Sequence, residues 1–417
     1  MEVKSRLKFF GKKLFLTGIF LIPSAFVFSA ILLLVASIIG IKESKRNLLK
    51  NFSNLPIYIS SLLLIIVCVL QNILDLKFSN HLTWIGILNW IPLFFLFIGS
   101  QNYLATQEDR KQTSIYLVSG SLPVIVTGLG QYFFNWYGPF EFLNGTIVWF
   151  SKPIDSSSNM GLAGLFSNQN YAGAWFGIIW PFCIAFMLNS SRNLFKKGCS
   201  LFFFITVLIS LILTFSRNAF GGLIISIPLL LGSTSLIWLL PLLILFLVAT
   251  SNINNLNELE ITNSYALDVI TNKMGGLRGF EDKRFEIWIN TINLISNKPF
   301  LGWGAGIFPL IYFSDFGETI NHSHNLFLEL AFNYGLLSAL IIFLFIVSII
   351  FLSMKKIFFN KEEKNLNYGQ IRYSERAWWT SFFVLFISQM IDVQYYDGKI
   401  SIVFWILLAG LKNIIRN

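Results

Sequence analysis

The sequence predicts an all-α, polytopic integral membrane protein with about 11–12 transmembrane or re-entrant helices and one large extracytoplasmic loop. Of the 417 residues, 55% are hydrophobic and only 12% are charged, whereas a soluble domain carries about 25% charged residues. Long apolar runs recur along the chain, and the mean hydropathy is +0.65. Because a helix needs about 20 residues to cross the bilayer core, the longer runs are long enough to span it.

The apolar runs follow one another with mostly short polar connections. Some of them, such as 219–232 and 400–411, are shorter than a full crossing, so we expect tilted, broken or re-entrant helices there. In chain order the runs are 14–40, 55–74, 82–104, 113–134, 169–189, 199–216, 219–232, 235–250, 326–353, 377–394 and 400–411.

The first apolar run, 14–40, has basic residues at both of its ends. A single crossing would place one basic cluster outside, against the tendency of Lys and Arg to stay on the cytoplasmic side. We therefore predict a hairpin of two short helices that bends near Pro23 and Ser24, with both ends cytoplasmic. The run is also too long for a cleaved signal peptide.

The distribution of positive charge indicates topology rather than a nucleic-acid partner. The net charge is +10, but the basic residues crowd the short loops, which is typical of cytoplasmic loops. From the hairpin onward, this rule places residues 135–168 and 251–325 outside and both termini in the cytoplasm. The three cysteines indicate neither a disulfide framework nor a metal site.

Arg284 belongs to the outer loop, in a stretch where Phe285, Trp288, Ile292 and Ile295 recur at helical spacing. We expect an amphipathic helix at the membrane surface. Arg284 is then either an ordinary exposed residue of this helix or a bidentate ligand for phosphate oxygens, which suit a planar guanidinium.

Arg217 ends an apolar run on the outer side. An arginine in this position often extends only to the lipid headgroups. The neighbouring Gly221 and Gly222 allow the close approach of a backbone or a ligand, which favours a functional role. The sequence leaves both alternatives open.

Two of the three histidines, His322 and His324, lie where the outer loop meets an apolar helix. His324 suits a general base, because the helix N-terminus would keep its imidazole neutral; alternatively, it caps the helix. A zinc site is disfavoured for want of further Cys or His ligands, so no metal is predicted. Asn325, Glu329 and Asn333 continue as a polar stripe, which is costly in a membrane unless it lines a cavity.

Four further residues are weaker candidates. Asn168 and Asn170 precede an apolar run, where they either bind sugar hydroxyls or cap a helix. Asp392 and Asp397 lie near the last runs and are expected to be cap or rim residues.

Trp303 lies between Gly302 and Gly304 in a glycine-rich segment. The segment lacks the preceding strand and following helix of a dinucleotide fingerprint. A tight turn at the membrane interface is the favoured interpretation.

Four short blocks occur in a fixed order between about residues 160 and 350. They are Gly164-Leu165-Phe166-Ser167-Asn168-Gln169-Asn170-Tyr171-Ala172, then Thr214-Phe215-Ser216-Arg217, then Arg284-Phe285-Glu286-Ile287-Trp288 leading to Pro299-Phe300-Leu301-Gly302-Trp303-Gly304, and finally His322-Ser323-His324-Asn325 with Gly335. Each block is weak alone, but the ordered set resembles the O-antigen ligase and polymerase family of bacterial envelope glycosyltransferases. Asn218 and Ser338 depart from the resemblance, because the family more often has glycine there.

This resemblance implies an enzyme of the bacterial inner (plasma) membrane that acts at the outer face. It would move a glycan from an undecaprenyl-diphosphate carrier to a hydroxyl of a lipid or glycan acceptor, as an inverting and metal-independent glycosyltransferase without a cofactor. Arg217 and Arg284 would bind the diphosphate, and His324 would be the catalytic base. The residues predicted to bind substrate are Asn168, Asn170, His322, Asn325, Glu329 and Trp303.

Three regions are predicted: N-terminal membrane helices over 1–160, a ligase-like region over 161–353, and a cytoplasmic loop with C-terminal membrane helices over 354–417.

Ligase and polymerase remain alternatives, since they share a donor and differ in acceptor. Some members of the family have been labelled inorganic-carbon transporters, so transport is the rival from another class. A transporter should carry ionisable groups near the bilayer midplane, whereas the candidate groups here lie at the outer rim. A non-catalytic partner of a glycan-assembly complex is a third alternative.

Overall fold

The structure is a computed structural model that describes residues 2–44, 51–74, 82–154, 161–189, 193–232, 277–359 and 368–416. Within these ranges the chain is mostly α-helical, with one short β-hairpin. The predicted apolar segment 235–250 and the outer loop before residue 277 lie outside the described residues.

The first half of the chain contains helices α1 to α7 and the β-hairpin. These elements are α1 (Glu2–Leu21), α2 (Phe26–Glu43), α3 (Leu55–Ile73), α4 (Leu82–Ile87), α5 (Ile91–Ser100), α6 (Gln107–Gly120), α7 (Leu122–Phe134), β1 (Phe140–Phe142) and β2 (Ile147–Trp149).

The second half contains helices α8 to α16. They are α8 (Gln169–Leu188), α9 (Leu194–Leu213), α10 (Arg217–Leu231), α11 (Leu277–Asn297), α12 (Phe308–Phe316), α13 (Leu326–Tyr334), α14 (Leu336–Phe359), α15 (Tyr368–Gln389) and α16 (Gly398–Arg416).

Eight helical segments of the described chain are long and apolar enough to cross a membrane, and α10 is a shorter apolar helix. Together with the near absence of sheet in the described ranges, they confirm the predicted all-α polytopic fold. The segments are Phe26–Glu43, Phe52–Ile73, Leu82–Ser100, Gln107–Phe134, Gln169–Leu188, Leu194–Leu213, Leu336–Phe359 and Gly398–Arg416.

The first apolar run forms two helices rather than one. α1 ends and α2 begins on either side of Pro23 and Ser24, so the predicted hairpin is confirmed. The two helices pack closely at Gly18, whose carbonyl accepts a 2.8 Å hydrogen bond from Ser29 Oγ. The bend itself contacts the β-hairpin, because Trp149 Nε1 donates to the Ser24 carbonyl at 2.8 Å. The bend therefore touches residues 135–168, a segment that is predicted to lie outside the membrane.

The predicted run 326–353 is divided at Gly335, which has a φ of +83°. The glycine-rich turn docks at this break, since Trp303 N donates to the Phe332 carbonyl at 2.7 Å. A side chain at Gly335 would collide with the Phe300 carbonyl. This docking ends α13 after nine residues and agrees with the tight turn that the sequence predicts.

Helix α11 confirms the predicted helix around Arg284. Its packed face includes Ile287 and Thr291, while Phe285 and Ile292 of the predicted apolar stripe are 55% and 53% exposed. Only part of the predicted stripe is therefore accessible from outside the protein, because Ile295 is buried. Arg284 lies beside the packed face and is directed towards the protein.

Helices α8, α10 and α15 pack together and carry the candidate site. Two glycines permit this close approach. A Cβ at Gly173 would lie 2.9 Å from Ala219 Cβ, and one at Gly222 would lie 2.6 Å from Val384 Cγ1. A larger side chain at either position would push α10 away from its neighbours.

Candidate active site

A cavity of about 550 Å³ lies between α10, α15 and the start of α8. Its apolar part is formed by side chains such as Ile225, Phe383 and Ile387. Its polar part brings together groups from distant parts of the sequence: Asn170, Arg217, Asn218, Arg284, Ser388 and Asp392.

The start of helix α10 forms one wall of this cavity. Phe215 has a φ of +48° and turns the chain sharply into the helix. Ser216 occupies the N-cap position, but its side chain makes no capping hydrogen bond. Arg217 is the first helical residue and is exposed. A helix N-terminus presents backbone N–H groups and a partial positive charge, so this wall is suited to an anion.

Arg284 reaches the same cavity from α11. Its Nη1 donates a 2.7 Å hydrogen bond to the Ile391 carbonyl, in the segment that follows α15. Burial lowers the pKa of Arg284, while the Asp392 carboxylate raises it and Arg217 lowers it further. The electrostatic coupling to both residues indicates that the two arginines and the carboxylate act within one local field.

His324 and Asp392 form a hydrogen-bonded pair, with 3.0 Å between His324 Nδ1 and Asp392 Oδ1. Burial raises the pKa of Asp392, but the hydrogen bond with His324 and the charges of His324 and Arg284 lower it more, so that it lies below its ordinary value. Asp392 is therefore a carboxylate at neutral pH, and it can orient the imidazole.

The loop that carries His324 is held by side chains on both sides. Its backbone has a φ of +54° at His324. Asn325 caps α13 by accepting from Phe327 N and Leu328 N, and its Nδ2 donates to the Met390 carbonyl at 3.0 Å. The loop is thereby tied both to its own helix and to the segment that contains Asp392.

Glu329 supports the same loop from the protein interior. It is only 4% exposed, and its Oε2 accepts a 2.9 Å hydrogen bond from Ser323 N, between the two histidines. Asn333 Nδ2 and Tyr396 Oη also donate to this carboxylate, at 3.5 and 3.4 Å.

His322 packs against His324, with 4.3 Å between the ring centroids. Its Nδ1 accepts a hydrogen bond from His324 N at 3.3 Å. Burial and the charges of His324 and Arg284 lower the pKa of His322 to about 4, although Asp392 opposes this. His322 is consequently neutral at pH 7.

His322, His324 and Asp392 are the residues that could hold a metal ion in the described part of the chain, since their ligand atoms lie within 4.8 Å of one another. The sequence offers only the two histidines as neighbouring ligands and predicts Asp392 to be a cap or rim residue, whereas the structure brings its carboxylate to them. Arg284 beside this group opposes the binding of a cation. That the site uses no metal therefore remains a prediction.

The remaining predicted residues take different positions. Asn170 lines the cavity, whereas Asn168 caps α8 by accepting from Asn170 N and Tyr171 N. Trp303 lies away from the cavity walls, with its Nε1 donating to the Leu294 carbonyl at 2.8 Å. Asn168 and Trp303 thus have structural contacts that account for their positions.

Asn218 is a cavity residue that the sequence interpretation noted only as a departure from the family pattern. Its Nδ2 donates to Ser388 Oγ at 2.7 Å, which joins α10 to α15. Gln169 and Ser216 also line the cavity. Their adjacency to Asn170 and Arg217 in the sequence was the available signal.

The fold and this site together define a polytopic membrane protein with a cavity lined by two arginines and by Asp392, whose carboxylate is hydrogen-bonded to His324. Residues 162–344 match the family model described as O-antigen ligase. The match confirms the resemblance and identifies a membrane protein of glycan processing. A search of curated proteins found no match.

Proposed function

We propose that this protein is an inverting, metal-independent glycosyltransferase of the O-antigen ligase or polymerase type. Its donor is a glycan on undecaprenyl diphosphate, and its acceptor is a hydroxyl of a lipid or another glycan. The observation that carries the proposal is the single cavity lined by Arg217, Arg284 and Asp392, the last of which holds His324.

The basic wall of the cavity supports a diphosphate leaving group. Arg217 and the uncapped N-terminus of α10 offer positive charge and backbone donors on one side, and Arg284 offers a guanidinium on the other. A leaving diphosphate gains negative charge in the transition state, which positioned cations stabilise. The apolar side chains on α10 and α15, among them Ile225 and Ile387, extend the cavity in a way that suits the polyprenyl chain.

The histidine–carboxylate pair supports base catalysis. With its Nδ1–H donated to Asp392, the imidazole of His324 has Nε2 free to accept a proton. The acceptor hydroxyl loses its proton to Nε2 while its oxygen attacks the anomeric carbon. The bond from that carbon to the phosphate oxygen breaks, and the diphosphate leaves with the bonding electron pair. Attack opposite the leaving group inverts the anomeric configuration.

We also propose that the protein resides in the bacterial inner (plasma) membrane with both termini cytoplasmic and the cavity at the outer face. The positive-inside rule supports this orientation. The contact between Trp149 and Ser24 supports it further, because a hairpin with both ends cytoplasmic turns its bend towards the outer side, where residues 135–168 are also assigned.

The test is a glycan profile of a deletion strain complemented with wild type, His324→Ala, Arg284→Ala or the control Lys283→Ala. Lys283 is exposed and pairs with Glu318 at 3.4 Å, so its loss removes a neighbouring charge without altering the cavity. We expect wild type and Lys283→Ala to restore the surface polysaccharide and the other two variants to fail.

The profile also separates the alternatives. Long lipid-linked chains left unattached in the deletion strain indicate a ligase, and single repeats indicate a polymerase. A normal profile of the deletion strain, or full rescue by both His324→Ala and Arg284→Ala, would refute the transferase and favour a transporter or a non-catalytic partner.

A further inference from the structure

Two buried oxygen atoms in the cavity wall have no hydrogen-bond partner within the described part of the protein: Gln169 Oε1 and Ser216 Oγ. Gln169 is 9% exposed and Ser216 is 2% exposed. An unpaired buried polar atom lowers the stability of the fold. Two such atoms at one cavity therefore require a partner beyond the described residues, and a ligand in the cavity can supply it.

The position of Ser216 strengthens this interpretation. A serine at the N-cap normally accepts a hydrogen bond from the second or third helical N–H group. Asn168 and Asn325 do so for α8 and α13, but the Ser216 hydroxyl makes no such bond. The Ser216 hydroxyl thus leaves the start of α10 uncapped, at a cavity wall that Arg217 also lines.

The two atoms differ in what they can bind. Gln169 Oε1 only accepts hydrogen bonds, and the oxygens of an ionised diphosphate also only accept them. Gln169 Oε1 therefore requires a donor, such as a hydroxyl or acylamino N–H group of a sugar. The Ser216 hydroxyl can donate to a phosphate oxygen, next to the charge of Arg217.

We propose that Gln169 and Ser216 form a subsite for the junction between the diphosphate and the first sugar of the donor. Gln169 accepts from a sugar hydroxyl or amide, and Ser216 donates to the adjacent phosphate. This inference rests on the proposed lipid-linked donor. It adds residues that recognise the sugar of that donor, whereas the arginines recognise its charged diphosphate.

Gln131 provides a matched control because it is a buried glutamine whose amide oxygen and nitrogen both have partners. It is 0% exposed, donates to the Lys152 carbonyl, and accepts from Ala163 N and Gly164 N at 2.9 Å. Replacing Gln131 with leucine removes hydrogen bonds that hold the folded chain, whereas the same change at Gln169 removes none within the described residues.

The experiment uses the full-length protein in lipid nanodiscs and two probes: polyprenyl diphosphate and the same lipid carrying one N-acetylhexosamine. We expect Gln169→Leu to weaken binding of the sugar-bearing lipid about tenfold or more. Binding of the lipid without a sugar should be unchanged. Ser216→Ala should weaken both probes by a similar factor. The apparent melting temperature should stay equal or rise for both variants and fall for Gln131→Leu.

The proposal is overturned if Gln169→Leu binds both probes like wild type, or if its melting temperature falls as that of Gln131→Leu does. Failure of the subsite and failure of the transferase are distinguishable. Sugar-selective binding that depends on Gln169, without transfer to any acceptor, keeps the subsite and removes the transferase. If Gln169→Leu transfers glycan with an unchanged donor KM, the transferase is kept and the subsite is refuted. A wild type that binds neither probe refutes both the subsite and the transferase.

Discussion

His324 Nδ1 lies 3.0 Å from Asp392 Oδ1, although 68 positions separate the two residues. Asn325 and Arg284 both donate to backbone carbonyls of the adjoining segment 390–391, at 3.0 and 2.7 Å. The segment that bears the carboxylate is thus fixed from the histidine loop and from the arginine helix. As a result, the proposed base and the proposed diphosphate site share one support, and a displacement of either would affect the other.

Loss of the carboxylate should act on turnover rather than on donor binding. We expect Asp392→Asn to lower kcat about 10²-fold or more with a small change in donor KM, because an asparagine can present its amide to Nδ1 and favour the wrong tautomer of His324. Initial rates with a lipid-linked donor and an acceptor measure both constants.

The pair should also behave as one unit. His324→Gln is expected to lower kcat about 10²–10⁴-fold, and adding Asp392→Asn to it should cost little more. Losses that multiply in the double variant would show that Asp392 acts independently of His324.

Glu329 is expected to position the histidine loop, although the sequence predicts it as a substrate-binding residue. Its carboxylate accepts from Ser323 N, and it is 4% exposed. Glu329→Gln keeps an acceptor and should retain kcat within about tenfold. Glu329→Leu should lower kcat about 10²-fold, since a small displacement of a catalytic group has an effect of this size. The comparison of kcat with donor KM is the measurement, and equal losses in both variants would count against a positioning role.

The sequence predicts the helical segments well because each depends on local hydrophobicity. The ends of those segments are harder to predict when they depend on distant contacts. The run 326–353 contains Gly335, but its local sequence does not show that the helix breaks there, because the break depends on a distant turn whose Trp303 N–H donates to the end of α13. Arg217 and Arg284 could be predicted as site residues from their charge and their location in the sequence alone.

The partners of those residues could not be predicted in the same way. Asp392 is an acidic residue near the end of an apolar run, and Asp397 is an acidic residue just beyond it. Only the packing of α15 beside the histidine loop brings it to His324. Within the described residues Gln169 Oε1 has no partner, whereas Gln131 Oε1 accepts two hydrogen bonds, so the difference between these identical side chains is a property of three-dimensional packing.

His322 should make stability depend on pH. Its pKa is lowered to about 4 by burial and by the neighbouring charges, whereas an unfolded histidine titrates near about 6.5. Between these values the unfolded chain binds a proton that the folded chain does not. The contribution is therefore fully favourable above about pH 6.5 and decreases as the pH falls towards 4.

We expect the melting temperature of His322→Gln to fall less than that of wild type between about pH 7.5 and pH 5, because the variant lacks this proton uptake. Scanning fluorimetry in nanodiscs at the two values measures the difference. Parallel decreases in the two proteins would mean that His322 is already protonated in the folded state.

The orientation of the chain can be tested with its own cysteines. Cys199 is exposed at the start of α9, while Cys68 and Cys183 are buried. An impermeant maleimide should label Cys199 only from the cytoplasmic side. In a Cys199→Ser background, Glu141→Cys on the exposed strand β1 should be labelled from the outer side. Labelling of both positions from the same side would refute the proposed topology.

Metal independence is open to a direct test at the same residues. The two arginines and the α10 N-terminus already supply positive charge to the leaving group, so a chelator should leave the transfer rate unchanged. Added Zn²⁺ should inhibit, because an ion held by His322, His324 and Asp392 would replace the proton that orients the imidazole. His322→Gln should then require more Zn²⁺ for the same inhibition. Activity that is lost on chelation and restored by a divalent cation would instead establish these three residues as a metal centre required for transfer.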